Sequence, residues 1–186
     1  LAPIQIIVLE LFMDLAASAG FVAEPKERDI YTRPPRNPQE NIINRRVVRD
    51  ILIKGAVLFA GVTAVYFYAR GRNLTVTESQ TFAFAAWIFG HIILAFISRS
   101  DKESVLAQGP FTNKVMNIWA VGAIGFLVAA IYIPGLRERF NLAYISSGQL
   151  VSIAVAMMII VGLLELRKVA SSGKNKKLAT DMAGRS

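Results

Sequence analysis

Five apolar blocks constrain this chain more than any other feature. They cover residues 4–22, 51–69, 81–97, 115–133 and 150–166, each 17 to 19 residues long. At about 1.5 Å of rise per residue, such a helix reaches about 25–29 Å, close to the hydrocarbon thickness of a bilayer. A single block of this kind also occurs as a buried helix in a large soluble protein. Five in 186 residues, with 54% hydrophobic against 18% charged residues, leave too little polar chain to cover them in water. The expected fold is all-α: a polytopic membrane helical bundle with five transmembrane helices. A secretory signal peptide does not account for the first block, which lacks a basic start and a small-residue cleavage site. The chain has no cysteine, which removes disulfides and the thiolate pairs that soft metal ions favour. It opens on Leu1-Ala2-Pro3 without a Met, so a preceding portion of the protein is expected.

The charge pattern gives an orientation. If the first block runs inward, the inner segments hold 17 of the 21 Lys and Arg residues, and the outer loops hold only Arg70, Arg72, Arg137 and Arg139. Cytoplasmic loops keep the basic excess, so the N-terminus is expected outside and the C-terminus in the cytoplasm. A pI near 10 also suits nucleic-acid binding, but here the basic residues gather at span ends rather than along one face. Membrane lipid is the expected partner, not nucleic acid. Tyr66, Tyr68, Tyr132 and Trp119 fall near block ends and read as interface anchors. Ala56, Ala60 and Ala64, and Ala16 with Gly20, recur at four-residue spacing, which suits close helix approach or simply reflects common membrane residues. The loop 23–50 is long and polar, and Pro34-Pro35 should break any helix there. Asn73-Leu74-Thr75 is a formal glycosylation acceptor, a pattern short enough to match by chance. Residues 1–170 read as one transmembrane domain, and 171–186 as a basic, disordered cytoplasmic tail attracted to anionic lipid.

The residues that cost free energy where they sit carry the functional signal. Glu10 and Asp14 lie in the middle of the first block, four apart, so an α-helix projects both from one face. An ionised carboxylate at the bilayer centre costs at least about 2.5–3.5 kcal/mol on insertion scales. A bound cation or proton offsets that cost, and a structural hydrogen-bonded pair is the alternative. Lys54, near the head of the second block, can snorkel to the boundary and is a poor partner at mid-depth. His91, the only histidine, lies in the third block; it is a candidate ligand or proton carrier, or else a neutral imidazole bonded between helices. Glu165 beside Arg167 and Lys168 is explained by an interfacial ion pair, and Asn117 and Ser152 by helix packing.

Three sequence features resemble one family in order and spacing. They are Leu1-Ala2-Pro3-Ile4-Gln5, the acidic pair ending at Asp14, and the loop Asp29-Ile30-Tyr31-Thr32-Arg33-Pro34-Pro35-Arg36. Together they resemble the sixth membrane helix and adjoining loop of P-type (E1–E2) cation-transporting ATPases, in the calcium-pump-like branch. Ala95-Phe96-Ile97-Ser98-Arg99-Ser100 resembles the end of that family's eighth helix, and five spans match its helices six to ten. The resemblance is specific over the first forty residues and looser after them.

What the resemblance implies is carried position by position. Asp14 matches the aspartate that ligates the transported ion, and Glu10 a second ligand position. Met13 falls where calcium pumps place a Thr ligand, although a thioether is a poor partner for a hard ion. His91 falls where their eighth helix supplies a Glu, so it is a third candidate ligand. The family's Gly-Leu-Pro after the aspartate is here Leu15-Ala16-Ala17, which leaves local unwinding at the site open. Glu27 and Asp29 match acidic loop positions that couple the membrane part to the phosphorylation domain, or else form a solvated loop of mixed charge beside Lys26 and Arg28.

The implied function is the membrane part of an ATP-driven P-type cation pump. Calcium is narrowly favoured over a proton or a monovalent cation, because both carboxylates are hard oxygen donors. The intact pump would be an enzyme, an ion translocase, but this chain carries no phosphorylation or nucleotide-binding motif. ATP and Mg2+ would act only through missing domains, and helices one to five with the cytoplasmic domains are the expected partner. A multi-pass protein of the plasma membrane is the expected localisation. A channel, secondary transporter or membrane assembly subunit that uses these spans without ATP is the competing reading.

Overall fold

The computed structural model describes residues 3–26, 43–100 and 104–183, with side chains to residue 166 except those at 12 and 14–16. Every regular element among the described residues is helical. The first block is not one continuous helix. It folds as α1 (Pro3–Val8), a π-helical segment (Leu9–Leu15) and α2 (Ala16–Val22). The later blocks give α3 (Arg45–Gly71), α4 (Val76–Ile97), α6 (Lys114–Tyr132) and α8 (Ser147–Ala183). Two short helices, α5 (Val105–Gln108) and α7 (Pro134–Arg139), lie in the connections.

Among the described residues, four helices are long and apolar enough to cross a membrane: α3, α4, α6 and the part of α8 up to Leu166. The chain is an integral, multi-pass membrane protein. The π-helical break divides the first block into pieces too short to count in the same way.

Local chemistry sets the helix starts. Asn44 caps α3, its Oδ1 accepting from the backbone N–H of Arg46 and Val47 at 3.0 Å each. Helix α3 therefore begins at Arg45 rather than near 51, where the apolar run starts, because a cap and not hydrophobicity decides where the first turn closes. A capping box starts α4: Thr75 Oγ1 accepts from Glu78 N, and the Glu78 carboxylate accepts from Thr75 N at 2.7 Å. Asn73, at φ 61°, turns the chain between α3 and α4 in the left-handed region that Asn tolerates. The Thr75 hydroxyl of the formal glycosylation acceptor is thus engaged in helix capping.

Helix α4 is the centre of the bundle, packed between α3 and α8. Phe84, Ala85, Ala86 and Ile88 along it are buried almost completely. Gly90 permits this closeness. A Cβ there would lie 2.4 Å from Leu58 Cδ1 and 2.7 Å from Met157 Cε, so the α3 and α8 side chains occupy the place of a side chain.

Two sequence readings are decided here. Ala56, Ala60 and Ala64 are exposed on α3, and the packed face is instead Leu58, Gly61, Val65 and Ala69. Trp119 is a buried core residue, not an interface anchor, because its turn of α6 faces the other helices. The backbone of α8 continues as helix beyond residue 170 to Ala183. Gly20 does serve close approach, its missing Cβ 3.4 Å from Met116 Cβ.

Candidate cation site

The π-helical segment Leu9–Leu15 contains both carboxylates singled out by the sequence. A π turn bonds i to i+5 rather than i+4, so it accommodates an extra residue in the turn; such segments are rare and concentrate at functional sites. The chain obtains this interruption without Gly or Pro within the segment. Leu9 and Met13, four apart, are buried at 6% and 1% exposure and hold one side of the segment to the core. Packing therefore accounts for Met13, where the family resemblance would place a ligand.

Glu10 lies on the opposite side. It is exposed, as are Ile6, Ile7 and Leu11 around it. Asp14 belongs to the same π-helical segment by its backbone. His91 is part-buried on α4. Its ring lies 4.9 Å from that of Trp87, tilted by 31°, and its Nδ1 is 3.3 Å from the Trp87 carbonyl oxygen. A carbonyl can only accept, so a bond there places the proton on Nδ1. No group of three acidic, His or Cys residues suited to a metal ion forms among the described residues. Glu27 and Asp29 lie outside the described residues.

A buried ionic cluster at the far end of α2 went unseen in the sequence. Arg99, just beyond α4, has a side chain only 1% exposed. Its Nε donates to both carboxylate oxygens of Glu24 at 3.0 Å, and its Nη2 donates to Oε1 at 2.7 Å. Nη2 also donates to Thr112 Oγ1 at 2.6 Å, and Nη1 to the Gly109 carbonyl at 3.1 Å. Gly109 ends α5 at φ 83°, a conformation that favours glycine. Asn113 completes the cluster. Its Nδ2 donates to Gly20 O and Glu24 Oε2, both at 2.7 Å, while its Oδ1 caps α6 at Met116 N. Burial pushes the Glu24 carboxyl upward. The hydrogen bonds from Arg99 and Asn113, with the Arg99 charge, outweigh it and hold the group below its ordinary value near 4.5.

Two smaller links join distant parts of the chain. Gln5 is fully buried, and its Nε2 donates to the carbonyls of Phe140 at 2.7 Å and Asn141 at 3.4 Å, after α7. Glu165 of α8 accepts from Val105 N at 2.7 Å and so satisfies a free donor at the start of α5. The sequence pointed instead to an ion pair with Arg167 and Lys168, whose side chains lie outside the described residues. Ser152 bonds within its own helix, to Gln149 O.

Comparison with known proteins agrees with this architecture. Residues 1–170 match the family model described as "Cation transporting ATPase, C-terminus". The chain is 29% identical over 166 residues to "Calcium-transporting ATPase type 2C member 2" of Rattus norvegicus, covering 87% of this chain and 18% of that protein. It is 26% identical over 137 residues to "Calcium-transporting ATPase type 2C member 1" of Homo sapiens, covering 74% and 15%. With "Calcium-transporting ATPase 1" of Yarrowia lipolytica it shares 28% identity over 157 residues, covering 83% and 17%. The chain thus spans less than a fifth of the length of these relatives. A carboxylate-bearing π-helical segment, four membrane-length helices and a family match over residues 1–170 lead to one assignment: this chain belongs to the C-terminal family of the P-type cation-transporting ATPases, in their calcium-pump-like branch.

Proposed function

We propose that this chain is the membrane part of an ATP-driven calcium pump, and that Glu10 and Asp14 ligate the transported ion. The observation that carries the reading is the coincidence of both carboxylates with the π-helical segment, in a chain whose relatives are named as calcium-transporting ATPases. On this reading residues 3–22 form a fifth span. The exposed side of that span, with Glu10, faces helices supplied by the rest of the pump. A hard divalent cation takes six to eight oxygens, so two carboxylates are a partial set that the remaining helices complete. His91 serves as a further ligand or as a proton partner. Glu27 and Asp29 couple the loop to a phosphorylation domain elsewhere in the protein, where ATP and Mg2+ act. The C-terminus is cytoplasmic and the pump belongs to the plasma membrane.

The test uses the full-length protein in vesicles, with calcium-dependent phosphorylation from ATP as the readout. In Asp14→Asn, calcium no longer supports phosphorylation at concentrations that saturate the wild type. Glu10→Gln raises the half-saturating calcium concentration by at least about tenfold, the equivalent of 1.4 kcal/mol of binding free energy. Wild-type calcium dependence in both variants would defeat the ligand assignment.

A further inference from the structure

The ion-binding reading leaves unexplained how a π-helical segment without Gly or Pro keeps its conformation. The π form is rare and occurs mostly as single-turn bulges inside α-helices. The first span is fastened at both ends to other parts of the bundle. Near its start, Gln5 is tied to the backbone at Phe140 and Asn141. Near its end, Gly20 O is held by Asn113, and Glu24 by Arg99 and Asn113. Arg99 and Asn113 are in turn fixed, one by Gly109 and Thr112 and the other by capping α6. With both ends held, the chain between them has a set axial length and a set number of residues. An α-helix uses a different number of residues per turn, so the interruption must persist while the anchors hold. Release of an anchor lets the segment relax to α, which rotates positions 10 and 14 relative to the rest of the pump.

We infer that Arg99 and Glu24, with Asn113, are positioning residues for the cation site: they fix the end of the first span so that its π-helical segment keeps the ion-binding register. The inference rests on the reading of Glu10 and Asp14 as ligands. Arg99 suits the task because its planar guanidinium donates to a carboxylate, a hydroxyl and a carbonyl in one fixed geometry. A Lys supplies the charge without the fork.

The experiment measures calcium-dependent phosphorylation of the full-length pump in Glu24→Gln, Arg99→Lys, Asp14→Asn and the control variant Lys54→Met, which breaks an ion pair internal to α3. Half-saturating calcium is read separately from the maximal phosphoenzyme per folded pump. Glu24→Gln and Arg99→Lys are expected to raise half-saturating calcium about tenfold, with the maximum within about twofold of wild type, while Lys54→Met matches wild type. If both clamp variants give less folded pump with unchanged half-saturation, the cluster is a folding contact and the inference is overturned. If Asp14→Asn retains wild-type calcium dependence, the ligand reading itself falls and the clamp proposal with it. Loss in Asp14→Asn with unshifted clamp variants removes the positioning role alone. Glu24→Gln keeps the shape of the side chain, so the test survives an Arg99 variant that does not fold.

Discussion

Residues 3–22 and α4 are apolar segments of similar length, yet they are built in opposite ways. Helix α4 begins with a capping box, runs 22 residues without a break and is the most enclosed element of the bundle. The segment 3–22 is broken by a π-helical stretch after six residues, exposes one side, and is held at both ends by side chains reaching to other elements. Regularity and burial make α4 a scaffold. Interruption and exposure suit the first span to meet a ligand and further helices. The difference shows that apolar length alone does not decide what a membrane helix does; its polar attachments do.

The comparison breaks most sharply at Arg99. Arg99→Met leaves Glu24 part-buried without its guanidinium partner, and removing one member of a buried pair costs about 3–5 kcal/mol. Thermal unfolding in detergent should show this as the largest loss among single substitutions outside the spans. The same pair has a pH signature. Because the folded-state pKa of Glu24 is lowered, its contribution is complete above the ordinary carboxylate value and disappears as pH falls through the depressed one. The wild type should therefore lose stability on acidification more steeply than Glu24→Gln, measured as unfolding midpoints from neutral pH downward. Equal slopes would show that the cluster does not stabilise the fold through its charge.

A second prediction concerns the scaffold. Gly90→Ala puts a methyl where Leu58 Cδ1 and Met157 Cε already lie. Both are ends of flexible side chains but both residues are buried, so repacking should cost about 1–3 kcal/mol. The effect should appear in unfolding midpoints, and it should exceed that of Gly55→Ala, where nothing lies within 4 Å.

The sequence made the scaffold legible and left the attachments hidden, for a physical reason. Apolar blocks report burial in lipid, so the apolar cores of α3, α4, α6 and α8 followed from composition, whereas the Asn44 cap starts α3 before its apolar run and α8 continues past its run to Ala183. The site carboxylates also stood out, since an acid at mid-span violates the pattern. The π-helical form did not, because Leu9–Leu15 contains no residue that breaks an α-helix. Its cause lies in Gln5, Glu24, Arg99 and Asn113, far apart in the chain. Nothing in the sequence singled out Glu24 or paired it with Arg99, which entered only within the Ala95–Ser100 resemblance. The Ala56, Ala60 and Ala64 stripe stayed open between two readings because spacing says which residues share a face and not which face is covered. Gly90 was the better marker, but one glycine in a span carries no neighbour information.

The smallest expected effect sharpens the contrast in how the two helices begin. Thr75 accepts from Glu78 N and donates to the Glu78 carboxylate at 2.7 Å, so Thr75→Ala removes one cap contact and weakens another. Capping substitutions of this kind cost about 1 kcal/mol. The loss falls on the first turn of α4, where Ser79 Oγ and Ser79 N both bond to Thr75 O and keep the backbone in place. Hydrogen exchange should therefore quicken at the start of α4, at the amides of Thr77 and Glu78, and leave the amides around Gly90 unchanged. The first span should not respond, since its anchors, Gln5 and Glu24, bond to the chain after α7, to Arg99 beyond the other end of α4, and to Asn113. If exchange rises through the π-helical segment as well, α4 and the first span do not behave as separate scaffold and site, and the contrast between them fails.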